Sequence, residues 1–429
     1  MDHFQLQGGV MHAEAVALPS VAAAVGTPFY CYSAATLRRH AQVMQQALSA
    51  LDRPLIAFAV KANPNIAVLT LLAREGLGAD VVSEGEMRRA LAAGMEPKSI
   101  VFSGVGKTDP EMRAALEAGI LQLNVESEGE LRRLSAAAVS AGRTAEIAIR
   151  VNPDVDAGTL AKISTGKAEN KFGVPLDRVE ALYAEAASLP GIRPVGIAAH
   201  IGSQLFDLAP LEAAYTKLGA LVGRLRAAGL PVERVDLGGG LGIPYDPKLP
   251  LPPSPQDYGD MVVRVTAGWN VRLMFEPGRL IAGNAGILVS KVVAVKTGAT
   301  RTFLVLDAAM NDLIRPTLYG VYHDIRAVQP RNGDMVATIV GPVCETGDMF
   351  AEDRPITPVE EGDLVALMTA GAYGATMAGT YNSRPLVPEV LVDGGRFAVI
   401  RERQTLDELL ALDRVPDWMN EPRPRGTGA

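Results

Sequence analysis

The stretch "LIAFAVKANPNIAVLTLLAREGLGADVVSEGEMRRALAAG", residues 55–94, repeats one pattern twice. Each copy begins with a short apolar run, passes through turn residues, and continues into a segment of helical period that ends in glycine. Apolar runs bounded by turn residues are typical of strands, and a glycine after a periodic segment is typical of a helix end. The stretch therefore predicts two successive units, each a strand followed by a helix.

The same alternation continues to about residue 280. The candidate strands are "LIAFAV" (55–60), "GADVVS" (78–83), "IVFSG" (100–104), "LQLNVES" (121–127), "EIAIRVN" (146–152), "PVGIAAHIG" (194–202), "RVDLGGG" (234–240) and "RLMFEPG" (272–278). Eight strand-helix units within about 250 residues are typical of a (β/α)8 barrel of the TIM type. A doubly wound open sheet is the alternative, because periodicity does not show whether a sheet closes, and the count of eight favours the barrel.

From about residue 281 onward, Val-, Ile- and Thr-rich runs such as "GILVSKVVAVKT" and "MVATIVGPVC" follow one another without intervening helices. Such runs predict a separate antiparallel β domain. We therefore expect an α/β chain with a barrel at residues 28–280 and a β-sandwich or barrel-like domain at residues 281–429. Residues 1–27 fit neither rhythm well, and we expect them to join the second domain.

Composition limits the class of partner. The 429 residues are 48% hydrophobic and carry a net charge of −7, with no Lys/Arg-rich block, which argues against nucleic acid and anionic membranes and favours small polar metabolites. No apolar run reaches the roughly 18 residues of a membrane span, and the first residues do not resemble a signal peptide, so we expect a cytoplasmic protein. With only Cys31, Cys344 and five scattered histidines, neither a disulfide framework nor a metal site is predicted.

Residues at the carboxyl ends of barrel strands are the first candidates for chemistry, because barrel active sites lie at that face. Lys61 directly follows the first strand, in the turn "KANPN". A lysine that is partly desolvated there has a depressed pKa and a nucleophilic amine. The alternative is an ordinary surface lysine with an extended stem.

A glycine run, "DLGGGLG" at residues 236–242, follows the seventh strand. Its backbone N–H groups can surround a phosphate without obstruction by side chains, and barrels often bind phosphate after strands seven and eight. The run matches neither the dinucleotide pattern nor the triphosphate pattern, and a plain flexible turn is the alternative.

Two further strand ends carry polar residues. "EPGR" supplies Glu276, Gly278 and Arg279, and "HIGSQ" supplies His200 and Ser203. A surface ion pair and a strand-capping histidine are the alternatives. Taken together with the lysine and the glycine run, these residues fit pyridoxal phosphate, which needs a Schiff-base lysine, a carboxylate for its ring nitrogen and amides for its phosphate.

Seven motifs also carry a family resemblance. They are "FAVKAN", "HIGSQ", "GGGLG", "EPGR", "NDLIRPTLYGVYHDI", "GPVCETGDMFAEDR" and "GAYG". Over about residues 28–400 the chain resembles the bacterial diaminopimelate decarboxylases, which belong to the alanine-racemase-like class of pyridoxal-phosphate enzymes. "FAVKAN", "EPGR" and "GAYG" are shared with the ornithine and arginine decarboxylases, whereas "RPTLYGVYH" and "GPVCETGD" are more specific to the diaminopimelate branch.

The resemblance implies a role for each matching residue. Lys61 holds the cofactor through a Schiff base, His200 stacks on its ring, and Glu276 pairs with its ring nitrogen. The phosphate is surrounded by Ser203, Gly239, Gly240, Gly278 and Tyr373, and Arg279 is also expected to bind the cofactor. The distal carboxylate of the substrate is assigned to Arg279, Arg315 and Tyr319, and its distal ammonium to Glu345. Tyr373 is also expected to bind the substrate. An arginine fork matches carboxylate geometry, although Arg315 and Glu345 without the motif are ordinary surface charges.

The resemblance also implies that Cys344 reaches the active site of a neighbouring subunit and helps to deliver a proton, so that a homodimer is required. The expected reaction converts meso-2,6-diaminopimelate to L-lysine and carbon dioxide, the last step of lysine biosynthesis. A decarboxylase for ornithine or arginine and a non-catalytic pyridoxal-phosphate carrier are the alternatives. The polar segment 159–173 is either a lid or an ordinary surface loop.

Overall fold

All eight predicted barrel strands are present in the computed structural model, which describes residues 2–158 and 170–419. The strands are Leu55–Ala59, Gly78–Val81, Ile100–Phe102, Gln122–Val125, Ala145–Asn152, Ile192–Ala198, Arg234–Asp236 and Arg272–Phe275. Each pairs in parallel with the next, and Met274 of the last strand pairs with Leu55 of the first, so the sheet closes. The barrel prediction is confirmed and the open sheet is excluded.

Helices surround this barrel. They are Ala34–Ala47, Ile66–Arg74, Glu84–Ala92, Asp109–Ala118, Glu128–Ser140, Val179–Ser188, Ala209–Ala227 and Pro255–Val265, with a short Arg279–Ala282 after the last strand. The first of them precedes the first strand and packs between Ile66–Arg74 and Pro255–Val265, which completes the ring. Residues 159–169 of the segment considered as a lid lie outside the described residues.

The second sheet is mostly antiparallel, as predicted for the carboxyl-terminal part of the chain. Its strands are Phe29–Ser33, Gly286–Thr297, Thr302–Leu306, Ile325–Ala327, Met335–Val340, Met349–Ile356, Leu364–Leu367, Glu389–Asp393 and Arg396–Arg401. Short helices lie at Arg315–Tyr319 and Leu406–Leu410. The amino-terminal residues form a small sheet of Phe4–Gln7, Val10–Ala13 and Val16–Ala17, followed by the helix Leu18–Val25.

The strand Phe29–Ser33 falls inside the range predicted for the barrel, yet it pairs with Gly286–Thr297 and Glu389–Asp393 of the second sheet. The chain thus enters the second sheet once before the barrel and returns to it afterwards. The division at residues 28 and 281 stays a prediction.

The interior of the barrel is apolar at one level and polar at the next. A small cluster of Leu55, Ala57, Val101, Leu121 and Met274 is separate from the main core, which lies between the barrel and its helices. The strands also carry the buried polar residues Asp80, Gln122, Asn124 and Asp236. The Asn124 amide donates to Asp236 of a strand that is not its neighbour, so these two side chains face the barrel interior. The barrel therefore presents polar groups to the face where the candidate strand-end residues lie.

No helix among residues 2–158 and 170–419 combines the length and the apolar character that crossing a membrane requires.

Candidate active site

One cavity of about 610 Å³ opens at the carboxyl ends of the barrel strands. Its wall includes Lys61, Ser103, Arg150, Phe172, His200, Ser203, Tyr245, Glu276, Arg279, Arg315, Tyr319 and Tyr373. A narrower recess of about 50 Å³ adjoins it and is lined by the three consecutive glycines 238–240 and by Gly278. The structure thus brings together every predicted site residue except Cys344 and Glu345.

Lys61 is an ammonium held by a buried carboxylate. The strand ends at Ala59, and a single 3-10 turn, Val60–Ala62, carries the lysine into the cavity. Its Nζ lies 2.6 Å from Oδ2 of Asp80, which is fully buried. Burial lowers the pKa of Lys61, but Asp80 and Glu276 outweigh it and the net pKa lies above the ordinary value. The expected depressed pKa is therefore wrong for this state of the protein, because the sequence pattern did not reveal the carboxylate partner.

Glu276 belongs to a second buried group of acids. It is hydrogen-bonded to Asp236, and the Ser103 hydroxyl donates to its Oε1 over 3.3 Å. Asn124 connects the two sides, since its amide donates to Ser103 Oγ over 3.1 Å and to Asp236 Oδ2 over 3.4 Å. Burial, and then the adjacent Asp236 charge, raise the pKa of Glu276 well above its usual range, and burial also raises the pKa of Asp236. Two adjacent buried carboxyls cannot both ionise cheaply, so the pair retains a proton.

The recess has a wall of backbone because side chains do not fit there. A Cβ on Gly239 would lie 2.3 Å from the Glu276 carbonyl oxygen, and one on Gly240 would lie 2.5 Å from that of Gly202. Gly278 is less crowded, with a Cβ position 3.0 Å from the Ala59 side chain. The glycine run is therefore a closely packed wall of the cavity, and the alternative of a plain flexible turn does not hold.

His200 is a neutral ring in the same wall. The Gly239 N–H lies 3.2 Å from its Nδ1, which must accept, so the ring proton is on Nε2. Burial and the nearby charges of Arg150 and Lys61 lower the pKa of His200 to about 3. A flat uncharged imidazole therefore faces the cavity at neutral pH.

Two arginines of the cavity wall, which define what we call its arginine end, have no acidic partner. Arg279 and Arg315 are 7% and 4% exposed, and no carboxylate among residues 2–158 and 170–419 lies within ion-pair distance of either. Arg279 Nη1 donates to the Tyr245 hydroxyl over 2.7 Å, and its Nε and Nη2 each lie 3.3 Å from Ser203 Oγ. Arg315 Nε donates to His323 Nε2 over 3.3 Å. The surface ion pair considered for Arg279 is therefore excluded, and this end of the cavity is suited to an anion.

Aromatic rings surround both guanidinium groups. Tyr245 lies 5.7 Å from Arg279 and 5.2 Å from Arg315, measured from the ring centre to the guanidinium carbon. The Tyr373 ring lies 4.8 Å from Arg279, and the Tyr319 ring lies 5.8 Å from Arg315. These faces attract the cations without neutralising them.

Comparisons with known proteins identify the family. Residues 34–283 match the pyridoxal-binding domain of the pyridoxal-dependent decarboxylases. The chain is 52% identical to the diaminopimelate decarboxylase of Zymomonas mobilis over 97% of this chain and 99% of the relative, and 48% identical to that of Vibrio cholerae over the same shares. The chain belongs to the diaminopimelate decarboxylase family.

Solved structures agree with this assignment. The crystal structure of the diaminopimelate decarboxylase from M. jannaschii in complex with L-lysine superposes with a TM-score of 0.93 at 35% identity, covering 97% of this chain and 98% of that one. The Helicobacter pylori enzyme, also with L-lysine, gives a TM-score of 0.89 at 39% identity over 92% of this chain and 98% of that one. The two-domain fold of the family therefore extends over nearly the whole chain.

Pyridoxal phosphate is the cofactor of this decarboxylase family, and the cavity fits it. An amine, a neutral flat ring and a carboxyl group face one space, beside a recess lined by the closely packed glycines 238–240 and Gly278. Asp80 Oδ1 is buried and has no hydrogen-bond partner among the described residues, so an acceptor remains available there.

Cys344 and Glu345 do not line the cavity of their own chain. Cys344 is exposed, and its backbone N–H donates to Asn382 Oδ1 over 3.0 Å. Glu345 is hydrogen-bonded to Tyr381, which is half exposed. Their roles in this family therefore stay a prediction that depends on a second chain.

Sequence reasoning missed several residues of the site. Asp80, Asn124 and Asp236 each lie between two apolar residues of a predicted strand, and this is a usable signal for an inward-facing polar group. His323 lies inside the motif "RPTLYGVYH", although the motif alone does not reveal its contacts. Tyr245 has no comparable signal, because it follows the glycine run in an irregular segment.

Proposed function

We propose that this chain decarboxylates meso-2,6-diaminopimelate to L-lysine and carbon dioxide. The observation that supports the substrate is the pair of buried arginines without acidic partners, Arg279 and Arg315, in the same cavity as Lys61. A substrate with a carboxylate far from the reacting carbon supplies the missing negative charge. The family relatives carry the same activity in their names, and two solved relatives hold L-lysine.

The cofactor is assigned to the barrel end of the cavity. When bound, pyridoxal phosphate supplies an electron sink for the bond that breaks. Lys61 is its covalent attachment point, His200 covers one face of its ring, and Glu276 pairs with its ring nitrogen. The phosphate is assigned to Ser203, Gly239, Gly240, Gly278 and Tyr373. The proton that Glu276 shares with Asp236 favours a protonated ring nitrogen, which is the form a decarboxylase needs.

The arginine end orients the substrate. Arg279, Arg315, Tyr319 and Tyr373 are assigned to its distal carboxylate. A held distal end reduces the freedom of the reacting end, so the carboxylate that leaves is presented in one orientation. Asp80 favours the protonated form of Lys61 whenever the lysine is not attached to the cofactor, so the lysine is one candidate for the acid that returns a proton to the substrate carbon.

The complete site requires a homodimer in this proposal. Cys344 of the partner subunit is the second candidate acid, and Glu345 of the partner subunit binds the distal ammonium. Support comes from the exposure of Cys344 and from the position of both residues outside their own cavity. Two unpaired cysteines suit a reducing compartment, so a cytoplasmic location is part of the proposal.

The first experiment compares substrates. The holoenzyme is supplied with meso-diaminopimelate, L-ornithine, L-arginine or L-lysine, and carbon dioxide is measured. We expect release from meso-diaminopimelate alone, because only this substrate brings a distal carboxylate to the arginines. Release from L-ornithine or L-arginine alone would contradict the proposal and would favour a decarboxylase for diamino acids that lack this carboxylate.

A mixed dimer tests the shared site. Lys61→Ala and Cys344→Ala chains with different tags are co-expressed, and each variant alone is expected to be nearly inactive. The mixture is expected to recover about a quarter of wild-type activity, because half of the dimers are mixed and each contains one intact site. Mixed dimers that form without recovering activity would contradict sharing of residues between subunits.

A further inference from the structure

We infer that His323 is a positioning residue that fixes the guanidinium of Arg315 and thereby sets selectivity for a distal carboxylate. The inference deepens the proposed function and rests on it. His323 is fully buried behind Arg315, in a segment between the short helix Arg315–Tyr319 and the strand Ile325–Ala327. It does not line the cavity, so it acts through Arg315.

The hydrogen bonds of His323 allow a single arrangement. Its Nδ1 lies 2.9 Å from the Met368 carbonyl oxygen, which only accepts, so Nδ1 carries the proton. Its Nε2 is then a lone-pair acceptor and receives the Nε–H of Arg315 over 3.3 Å. Burial and the Arg315 charge lower the pKa of His323 to about 3, so the neutral tautomer persists at neutral pH. The Met368 N–H donates to the Asp324 carbonyl over 2.8 Å, and this hydrogen bond fixes the backbone that accepts from His323.

This arrangement decides which edge of Arg315 is available to a ligand. A guanidinium binds a carboxylate through two parallel N–H groups, either along its Nε edge or along its two Nη groups. His323 occupies Nε, and no described residue accepts from either Nη group. The Nη edge of Arg315 is therefore the one left for a bidentate contact in the cavity.

Tyr245 contacts both arginines and His323. Its ring centre lies 5.7 Å and 5.2 Å from the guanidinium carbons of Arg279 and Arg315, and the His323 ring packs against it edge-on with ring centres 5.2 Å apart. All the groups that hold these cations are neutral. An acidic residue in place of His323 would neutralise Arg315 internally, whereas an imidazole orients it and leaves its charge to the ligand.

The test replaces His323 with phenylalanine, asparagine and glutamine. Phenylalanine fills the space but accepts no hydrogen bond, and asparagine is too short to contact both partners. Glutamine can accept from Arg315 Nε and donate to the Met368 carbonyl, so it is the rescue variant. For His323→Phe and His323→Asn we expect KM for meso-diaminopimelate to rise about 10-fold to 100-fold, with a smaller change in kcat, because a misoriented binding group costs up to about two orders of magnitude. His323→Gln is expected to restore most of this loss.

Two ligands separate positioning from a general structural role. Calorimetry on the holoenzyme measures the affinity for pimelate, a seven-carbon dicarboxylate without amino groups that is not turned over, and for 1,5-diaminopentane, which has amino groups but no carboxylate. We expect the Phe and Asn variants to lose affinity for pimelate and to retain it for 1,5-diaminopentane. Equal weakening of both ligands, or no weakening of pimelate, would overturn the inference. A wild-type enzyme that binds pimelate but releases no carbon dioxide from meso-diaminopimelate would contradict the proposed function and leave the role of His323 supported.

Discussion

The two ends of the cavity treat buried charge in opposite ways. At the barrel end, Lys61 is paired with Asp80, and Glu276 shares a proton with Asp236. At the other end, the buried Arg279 and Arg315 are held by tyrosines, a serine and a neutral histidine, without any carboxylate among the described residues. The barrel end balances its own charge, whereas the arginine end leaves its charge to be balanced by a ligand.

This difference separates two chemical tasks. The barrel end must move protons and attach a cofactor, and groups that exchange a proton need partners that tune their pKa. The arginine end must recognise an anion, and an internal carboxylate there would compete with the substrate. Buried cations without partners reduce the stability of the ligand-free protein, so we expect anion binding to restore part of that stability.

The largest expected effect comes from Lys61. In Lys61→Ala, turnover of meso-diaminopimelate is expected to fall by at least about 10³-fold, because both the covalent attachment point and a proton donor are lost. Lys61→Arg is the matched variant, since it keeps a cation beside Asp80 but is not a nucleophile. Carbon dioxide release is measured for both, together with cofactor absorbance. An active Lys61→Arg enzyme would show that charge alone accounts for the role of this residue.

The second largest effect is expected for Arg315, because its buried charge has no acidic partner, in contrast to that of Lys61. In Arg315→Met, KM for meso-diaminopimelate is expected to rise about 100-fold, the cost of a lost charge-assisted bidentate contact. The ligand-free variant is expected to be more stable than wild type by about 1 to 3 kcal/mol, since a buried unpaired charge is removed. Kinetics and urea unfolding measure the two effects.

Arg132→Met is the control for Arg315. Arg132 is exposed and pairs with Glu185 Oε1 over 2.8 Å, so its loss is expected to change neither KM nor stability appreciably. If Arg315→Met lowered stability, contacts inside the protein would offset the energetic cost of burying the Arg315 charge. The contrast between the two ends of the cavity would then fail.

The backbone recess gives a smaller effect. In Gly239→Ala, the new Cβ meets the Glu276 carbonyl oxygen at 2.3 Å, so the strand ends must move apart and stability is expected to fall by about 1 to 3 kcal/mol. Gly223→Ala is the control, because it lies inside the helix Ala209–Ala227 with no atom within 4 Å of its Cβ position, and we expect it to stabilise by about 0.5 to 1 kcal/mol. Thermal unfolding and cofactor retention measure both. Equal behaviour of the two variants would exclude a special role for the recess.

Barrel geometry explains how much of the site follows from the sequence. Lys61 and Arg279 follow predicted strands, and His200 and Glu276 lie near the ends of predicted strands. Closure of eight parallel strands brings these ends together. The ion pairs and hydrogen bonds of these residues do not follow from the sequence in the same way. The Asp80 partner of Lys61 depends on the register of neighbouring strands, where Ala59 pairs with Asp80, and no local pattern encodes it.

The arginine end is less predictable for a physical reason. Tyr245 and His323 come from irregular segments and Arg315 from a short helix, in two different parts of the chain, and their contacts arise only after the second sheet packs against the barrel mouth. Strand periodicity contains no information about such packing. Cys344 and Glu345 are harder still, because a single chain does not bring them to its own cavity.

The smallest effect concerns pH, and the two ends should respond with opposite sign. Burial lowers the pKa of His323 to about 3, so as pH falls below the ordinary value of about 6.5 the unfolded chain takes up a proton that the folded protein refuses. This contribution reduces stability by up to about 1.4 kcal/mol per pH unit between about pH 6.5 and 3. His323→Gln removes it, and urea unfolding at pH 7 and pH 5.5 measures the difference.

The carboxyl pair should act in the other direction. The pKa of Glu276 is raised in the folded protein, so its contribution is fully present below the ordinary carboxyl value and is lost as pH rises through the raised value. Glu276→Gln is therefore expected to make the protein more acid-sensitive relative to wild type, whereas His323→Gln makes it less so. If both variants shifted the pH dependence in the same direction, one of the two ends would hold a different protonation state, and the division of the cavity into a self-balanced end and a ligand-balanced end would have to be redrawn.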